Sequence, residues 1–266
     1  MLIAGAVCPH PPLLIPAALG SASSDPPGEL RKVADAAARA VSGLTRARPD
    51  MIVVVGGGAA EREYGADASG GLHAFGVAVT VGPGEPVLPL SLTVGRWLLE
   101  GAGILERGEA ADLPAEAADL PGEAVSVPGA GAGGGIPVVF QEVARHAAAG
   151  DCLKLGRILA DRAPRVALLA MGDSCARPAR EDPDVPDPAA QDYDAEVAEA
   201  LAAADARWFA RLDPALDDEL VVAGRAAWQV LAGAARGTRM RGRLLCMSAP
   251  YGVTYLVASW EESRTD

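Results

Sequence analysis

The chain has 266 residues, half of them apolar, with 35 acidic against 23 basic side chains and a formal net charge of −12. That length suits one large α/β domain or two small ones with ample core, and the charge argues against nucleic acid and anionic membrane surfaces as partners. No apolar run approaches the roughly 18–20 residues of a membrane span, and Leu2–Val7 is too short for a signal sequence and lacks a basic stretch before it.

Leu2–Val7 reads as a strand that runs into Cys8-Pro9-His10-Pro11-Pro12. Proline fixes φ and pushes its preceding residue toward extended geometry, so His10 is held at a strand end, where open α/β sheets place their ligands. His10 is therefore a candidate metal ligand or acid/base; the plainer reading is an incidental imidazole in a stiff loop. After the linker Ser21–Gly28, apolar residues Leu30, Val33, Ala34, Ala37, Val41 and Leu44 follow helical spacing. Pro49-Asp50 ends that helix, and Met51–Val55 is a short apolar run typical of a buried parallel strand. Strand, helix, strand makes one crossover unit with parallel strands.

Further along, Gly76–Val81 reads as a strand and Thr93–Glu100 as the start of a helix. Residues 102–135, rich in Ala, Gly, Pro and acids, read as a variable surface excursion. Pro137–Ala149 and Cys152–Arg162 read as helices, and Arg165–Met171 as a strand entering Gly172-Asp173-Ser174-Cys175. The Asp/Pro-dense loop Pro178–Pro188 leads to two helices, Asp192–Leu212 and Pro214–Ala235. Strands Arg243–Met247 and Val253–Ser259 flank the turn Ala249-Pro250-Tyr251-Gly252. No internal repeat or linker divides the chain, so one domain over 1–266 is the simpler expectation.

Most apparent motifs are structural. Gly129, Gly131 and Gly134 satisfy GxGxxG in form but have no strand before them and Pro137 after them, which favours a loop. Gly56-Gly57-Gly58 lacks a phosphate-loop lysine and reads as a tight turn at a strand end. No serine stands in a G-x-S-x-G elbow. The histidines are His10, His73 and His146; His146 reads as a surface residue on an alanine-rich helix, and His73 has no carboxylate at ligand spacing. Cys8, Cys152, Cys175 and Cys246 show no CxxC pair, so neither a zinc knuckle nor a disulfide framework is suggested and a cytoplasmic, reduced chain is expected. Asp173, just past a buried apolar run, lies at a rim where it orients a ligand or caps the next segment.

Taken together, Pro9-His10-Pro11-Pro12, Met51–Gly58, Met171–Arg177 and Ser248-Ala249-Pro250-Tyr251-Gly252-Val253 resemble the class III extradiol ring-cleavage dioxygenase superfamily, typified by the protocatechuate 4,5-dioxygenase catalytic subunit. The resemblance covers nearly the whole chain. It implies a single α/β domain, a central mostly parallel sheet flanked by helices, and a metal pocket at one rim. Active members hold Fe(II) through two histidines and a glutamate, leaving positions open for catechol oxygens and O₂, and use another histidine as acid/base.

By that register the first ligand falls on His10. The second histidine position falls on Gly58, the acid/base histidine on Ala176 and the glutamate on Ser248. Glycine and alanine offer no ligand atom, and a serine hydroxyl is a poor Fe(II) ligand. The resemblance thus implies a scaffold that has lost ring cleavage, needs no cofactor, and keeps a small-molecule pocket near His10, Gly58, Asp173, Cys175, Ala176, Ser248 and Tyr251. The alternative is an active (di)oxygenase on an aromatic substrate, with Fe(II) or another divalent metal on a rearranged set of His10 with Glu61, Glu63, Cys175 or Cys246. By analogy with the family a homo-oligomer is expected.

Overall fold

The computed structural model describes residues 1–19, 28–107, 135–176 and 187–263. Its centre is a seven-stranded sheet of order β3-β7-β2-β8-β1-β10-β9. These strands are β1 (Leu2–Cys8), β2 (Met51–Gly58), β3 (Arg62–Tyr64), β7 (Val138–Ala144), β8 (Val166–Met171), β9 (Met240–Ser248) and β10 (Tyr255–Glu262). A three-stranded sheet of β4 (Ser69–Gly71), β5 (Thr80–Val81) and β6 (Pro86–Leu88) sits beside it. The helices are α1 (Gly28–Arg46), α2 (Leu90–Gly101), α3 (Ala149–Ala160), α4 (Pro188–Ala203), α5 (Ala206–Phe209), α6 (Ala215–Leu220) and α7 (Arg225–Ala234).

The main sheet is mixed. β7, β2, β8 and β1 run parallel, whereas β3, β10 and β9 are antiparallel to their neighbours. The expected parallel relation of β1 and β2 holds, with β8 inserted between them. Each central strand is buried on both faces, which explains continuous apolar runs rather than alternation. Ile52, Val54, Ala167 and Leu169 face the core under α1 and α2. Val53, Val55, Leu168 and Ala170 face the other core, packed by α3, α4 and α7. The fold is thus an α/β domain with helices on both faces of one mixed sheet.

Several elements differ from expectation. Val138–Ala144 is a strand, not part of a helix, because Val138, Val139, Phe140 and Val143 are β-branched or aromatic and fill the slot beside β2. Their spacing also satisfies a helical period, which is ambiguous over so short a run. Of Gly76–Val81 only Thr80–Val81 is strand; Gly76, at φ +75°, closes a single 3-10 turn over His73–Phe75. The two late helices are four: Ala204 at φ +51° and the Asp205 cap split the first, and Val221 at φ +56° ends α6 before α7 begins. The expected loop 178–188 lies outside the described residues except for its last two positions. The excursion 102–135 lies mostly outside them.

Two interior polar networks lock this arrangement. Arg225, fully buried, reaches Asp217 at 2.6 Å, the Gln229 side-chain oxygen at 2.7 Å and the carbonyls of Arg145 and Ala147. It ties the start of α7 to α6 and to the turn after β7. Arg96 pairs with Glu100 at 2.9 Å and donates to the carbonyls of Ala66 and Ala68, which anchors the small sheet on α2. Burial raises the Glu100 pKa, with Arg96 acting against it.

Candidate functional site at the strand-end rim

The carboxyl ends of β1, β2 and β8 meet at one rim, joined there by the β9–β10 turn, the location at which open α/β sheets bind ligands. Cys8 pairs with Met171, and the Gly172 N–H donates to the Cys8 carbonyl. Two residues further along both chains, the backbone N–H of His10 donates to Asp173 Oδ1 at 2.7 Å. The same oxygen lies 3.6 Å from His10 Nδ1, with both side chains mostly buried. At that separation no hydrogen bond forms, and His10 Nδ1 is buried without a hydrogen-bond partner among the described residues. The proline-stiffened loop thus presents an imidazole beside a carboxylate that is already committed to backbone.

Tyr255 completes this corner. Its phenol is buried, and burial, with the nearby Asp173 charge, pushes its pKa up. It stays protonated. Sequence reasoning missed Tyr255 because it opens a strand as an ordinary β-former. Tyr251, by contrast, is half exposed in the turn.

Two glycines of the Gly56–Gly58 run, the first and the last, make room for a neighbour. A Cβ on Gly56 would meet Ser91 Oγ at 2.4 Å, and the Ser91 hydroxyl donates to the Gly57 carbonyl at 2.8 Å. A Cβ on Gly58 would lie 2.1 Å from Glu142 Oε1. That carboxylate accepts the N–H groups of Ala59 at 2.7 Å and Ala60 at 3.1 Å, and the Tyr64 hydroxyl at 2.7 Å. The helix expected over its segment hides Glu142 from the sequence reading; as a strand residue it pairs with Gly56, and its side chain reaches along the sheet to Gly58.

The remaining expected residues take partners other than His10. Ala176 donates its N–H to the Leu220 carbonyl. Ser174 donates its hydroxyl, and Cys175 its N–H, to buried Asp194, a residue that helical periodicity could not single out. Burial, then the Asp194 charge, raises the Cys175 pKa, which disfavours a thiolate ligand. The Ser248 hydroxyl donates to Glu29 of α1 at 2.8 Å, not to His10. Ser248, Ala249, Thr254, Met247, Gln191 and Asp194 line a cavity of about 400 Å³. Cys246 is half-buried with its pKa raised by burial.

The rearranged ligand set is not assembled. Glu63 pairs with Arg162 across the sheet edge, on β3, four strand spacings from β1, or about 19 Å at ~4.8 Å each. Glu61 is exposed. His146 lies in the turn after β7, exposed and 4.0 Å from Asp218, not on a helix. Among the described residues no three His, Cys, Asp or Glu side chains converge as a metal-binding group, and no helix is long and apolar enough to cross a membrane.

No protein-family profile matches the chain, and no curated protein matches it. Among solved structures it is similar to an uncharacterized protein, JW3007, from Escherichia coli K12. The two are 15% identical with a TM-score of 0.46, over 97% of this chain and 99% of that one.

Proposed function

We propose that this chain is a non-catalytic relative of the class III extradiol dioxygenases, cytoplasmic with its thiols reduced, that keeps the strand-end rim as a binding site for a small molecule. The observation that carries the reading is the Glu142 carboxylate, which fills the space a side chain at Gly58 would enter. Its oxygens already serve Ala59, Ala60 and Tyr64. The residues at the family's other two metal positions do not fit iron: Gly58 brings no donor atom and Ser248 is bonded to Glu29, while Ala176, at the acid/base position, cannot move a proton. His10 with Asp173 supplies a shaped, polar corner for a ligand instead of a metal shell.

The rival reading, a metal-dependent (di)oxygenase built on His10, draws on the unpartnered His10 Nδ1, since a buried polar atom without a partner calls for an explanation. Anaerobic Fe(II) titration followed by oxygen and protocatechuate or simple catechols separates the two. The expected outcome is saturable binding of the aromatic acid without ring opening, weakened in His10→Ala. Ring-opened product at about 1 s⁻¹ or faster would overturn the proposal in favour of the rival.

A further inference from the structure

Away from the rim, the molecule carries a second concavity of about 870 Å³ between α3, α5 and the end of α7. That volume lies in the range of small-molecule sites, roughly 300–1,000 Å³. Helix α7 starts against the rim, where Gly224 packs on Gly172, and ends at this groove. Ten residues of helix put the two about 15 Å apart.

Arg157, Arg207, Arg211 and Arg236 line the groove, all exposed. None of these guanidinium groups has a hydrogen-bond or ion-pair partner among the described residues. Among the described lining residues Asp205 is the one acidic side chain, and it caps α5 by accepting the N–H groups of Arg207 and Trp208. Such a concentration of cations is unexpected on a chain of net charge −12.

The plain explanation is that the arginines offset helix C-termini, because α3, α4 and α7 all end nearby. Magnitudes argue that this is insufficient. Each helix end contributes about half a negative charge, so three ends plus Asp205 leave the groove with an excess of roughly one to two positive charges. The floor, including Ala206, Ala210, Ala232 and Ala235, is apolar. Guanidinium groups bind phosphate oxygens in a planar fork, and a phosphate monoester carries about −1.5 to −2 at pH 7.

We infer that this groove is a binding site for an organic phosphate monoester, with the phosphate among the arginines and an apolar body on the alanine floor. The inference is independent of the reading of the rim. Phenyl phosphate is the probe, titrated calorimetrically into the full chain at 150 mM NaCl. One saturable site is expected, with inorganic phosphate binding more weakly because it leaves the floor uncovered. The double variant Arg207→Glu/Arg211→Glu, whose side chains are exposed and unpaired, should fold normally by circular dichroism and lose at least about tenfold in affinity. His10→Gln should leave that affinity unchanged. Absence of saturation by about 10 mM, or equal affinity in wild type and the double variant, would overturn the inference. Binding as strong for inorganic phosphate as for phenyl phosphate would overturn the organic part and mean that the arginines attract any anion.

Discussion

The carboxylate of Glu142 stands where the Cβ of any residue other than glycine at position 58 would have to be, 2.1 Å from Oε1. Position 58 and residue 142 are therefore coupled. Gly58→Ala should cost about 2–3 kcal/mol through overpacking. Glu142→Ala should cost a similar amount, about 2–3 kcal/mol, by leaving Ala59, Ala60 and Tyr64 without an acceptor. The double variant should cost less than the sum by about 1–3 kcal/mol. Urea denaturation of the four proteins measures the cycle, and strict additivity would show that the two positions do not compete for space.

At the rim, Asp173 and His10 should differ in what they contribute to stability. Asp173→Ala removes the acceptor of a 2.7 Å bond from the His10 backbone, and a loss of about 1.5–3 kcal/mol is expected for a bond to a charged group. His10 Nδ1 makes no hydrogen bond among the described residues, so His10→Gln should cost about 1 kcal/mol or less. Thermal melts with and without EDTA check both. An EDTA-sensitive melting temperature in the wild type that vanishes in His10→Gln would identify a working metal site.

Helices α3 and α7 approach closely through two glycines. A Cβ on Gly156 would lie 2.0 Å from the Val230 carbonyl oxygen, and one on Gly233 would lie 2.3 Å from that of Leu153. These contacts are backbone, which cannot rotate aside. Either Gly→Ala change should destabilise by about 2–3 kcal/mol, despite alanine's better helix propensity of roughly 1 kcal/mol. A chemical denaturation midpoint equal to or above wild type would refute the close approach.

Thiol reactivity should rank with burial. Burial raises the pKa of Cys8, Cys152, Cys175 and Cys246, and only Cys246 is not fully buried. Thiolate is the reacting form. Iodoacetamide at pH 8 should therefore label Cys246 slowly and the others only after unfolding, as peptide mass spectrometry would show. Prompt labelling of Cys175 in the native protein would mark it as an activated thiol.

Much of the sheet was legible because doubly buried strands betray themselves by continuous apolar runs, as in Met51–Val55 and Arg165–Met171, and because Pro49-Asp50 ends a long helix plainly. The errors share a cause. Val139 and Val143 fit a helical period and a strand alike, so β7 was misplaced and Glu142 with it. The helix breaks at Ala204 and Val221 arise from left-handed backbone at non-glycine residues, which carries no residue-type signal. His10 and Asp173 were each visible as strand-end residues, but their contact depends on β8 lying beside β1. Ser248 pairs with Tyr255 at the start of the last hairpin strand, but that its hydroxyl donates to Glu29 on α1 depends on how that helix packs, which no linear register carries.

The placement of β1 has a consequence for synthesis. Its native neighbours are β8 and β10, beginning at Val166 and Tyr255. A ribosome therefore delivers Leu2–Cys8, wholly apolar but for Gly5 and destined for the middle of the sheet, long before either flank exists. Unpaired apolar strands of this kind are the ones that aggregate in nascent chains. The central position of the first strand makes folding of this chain a late event, with closure waiting on its last hairpin.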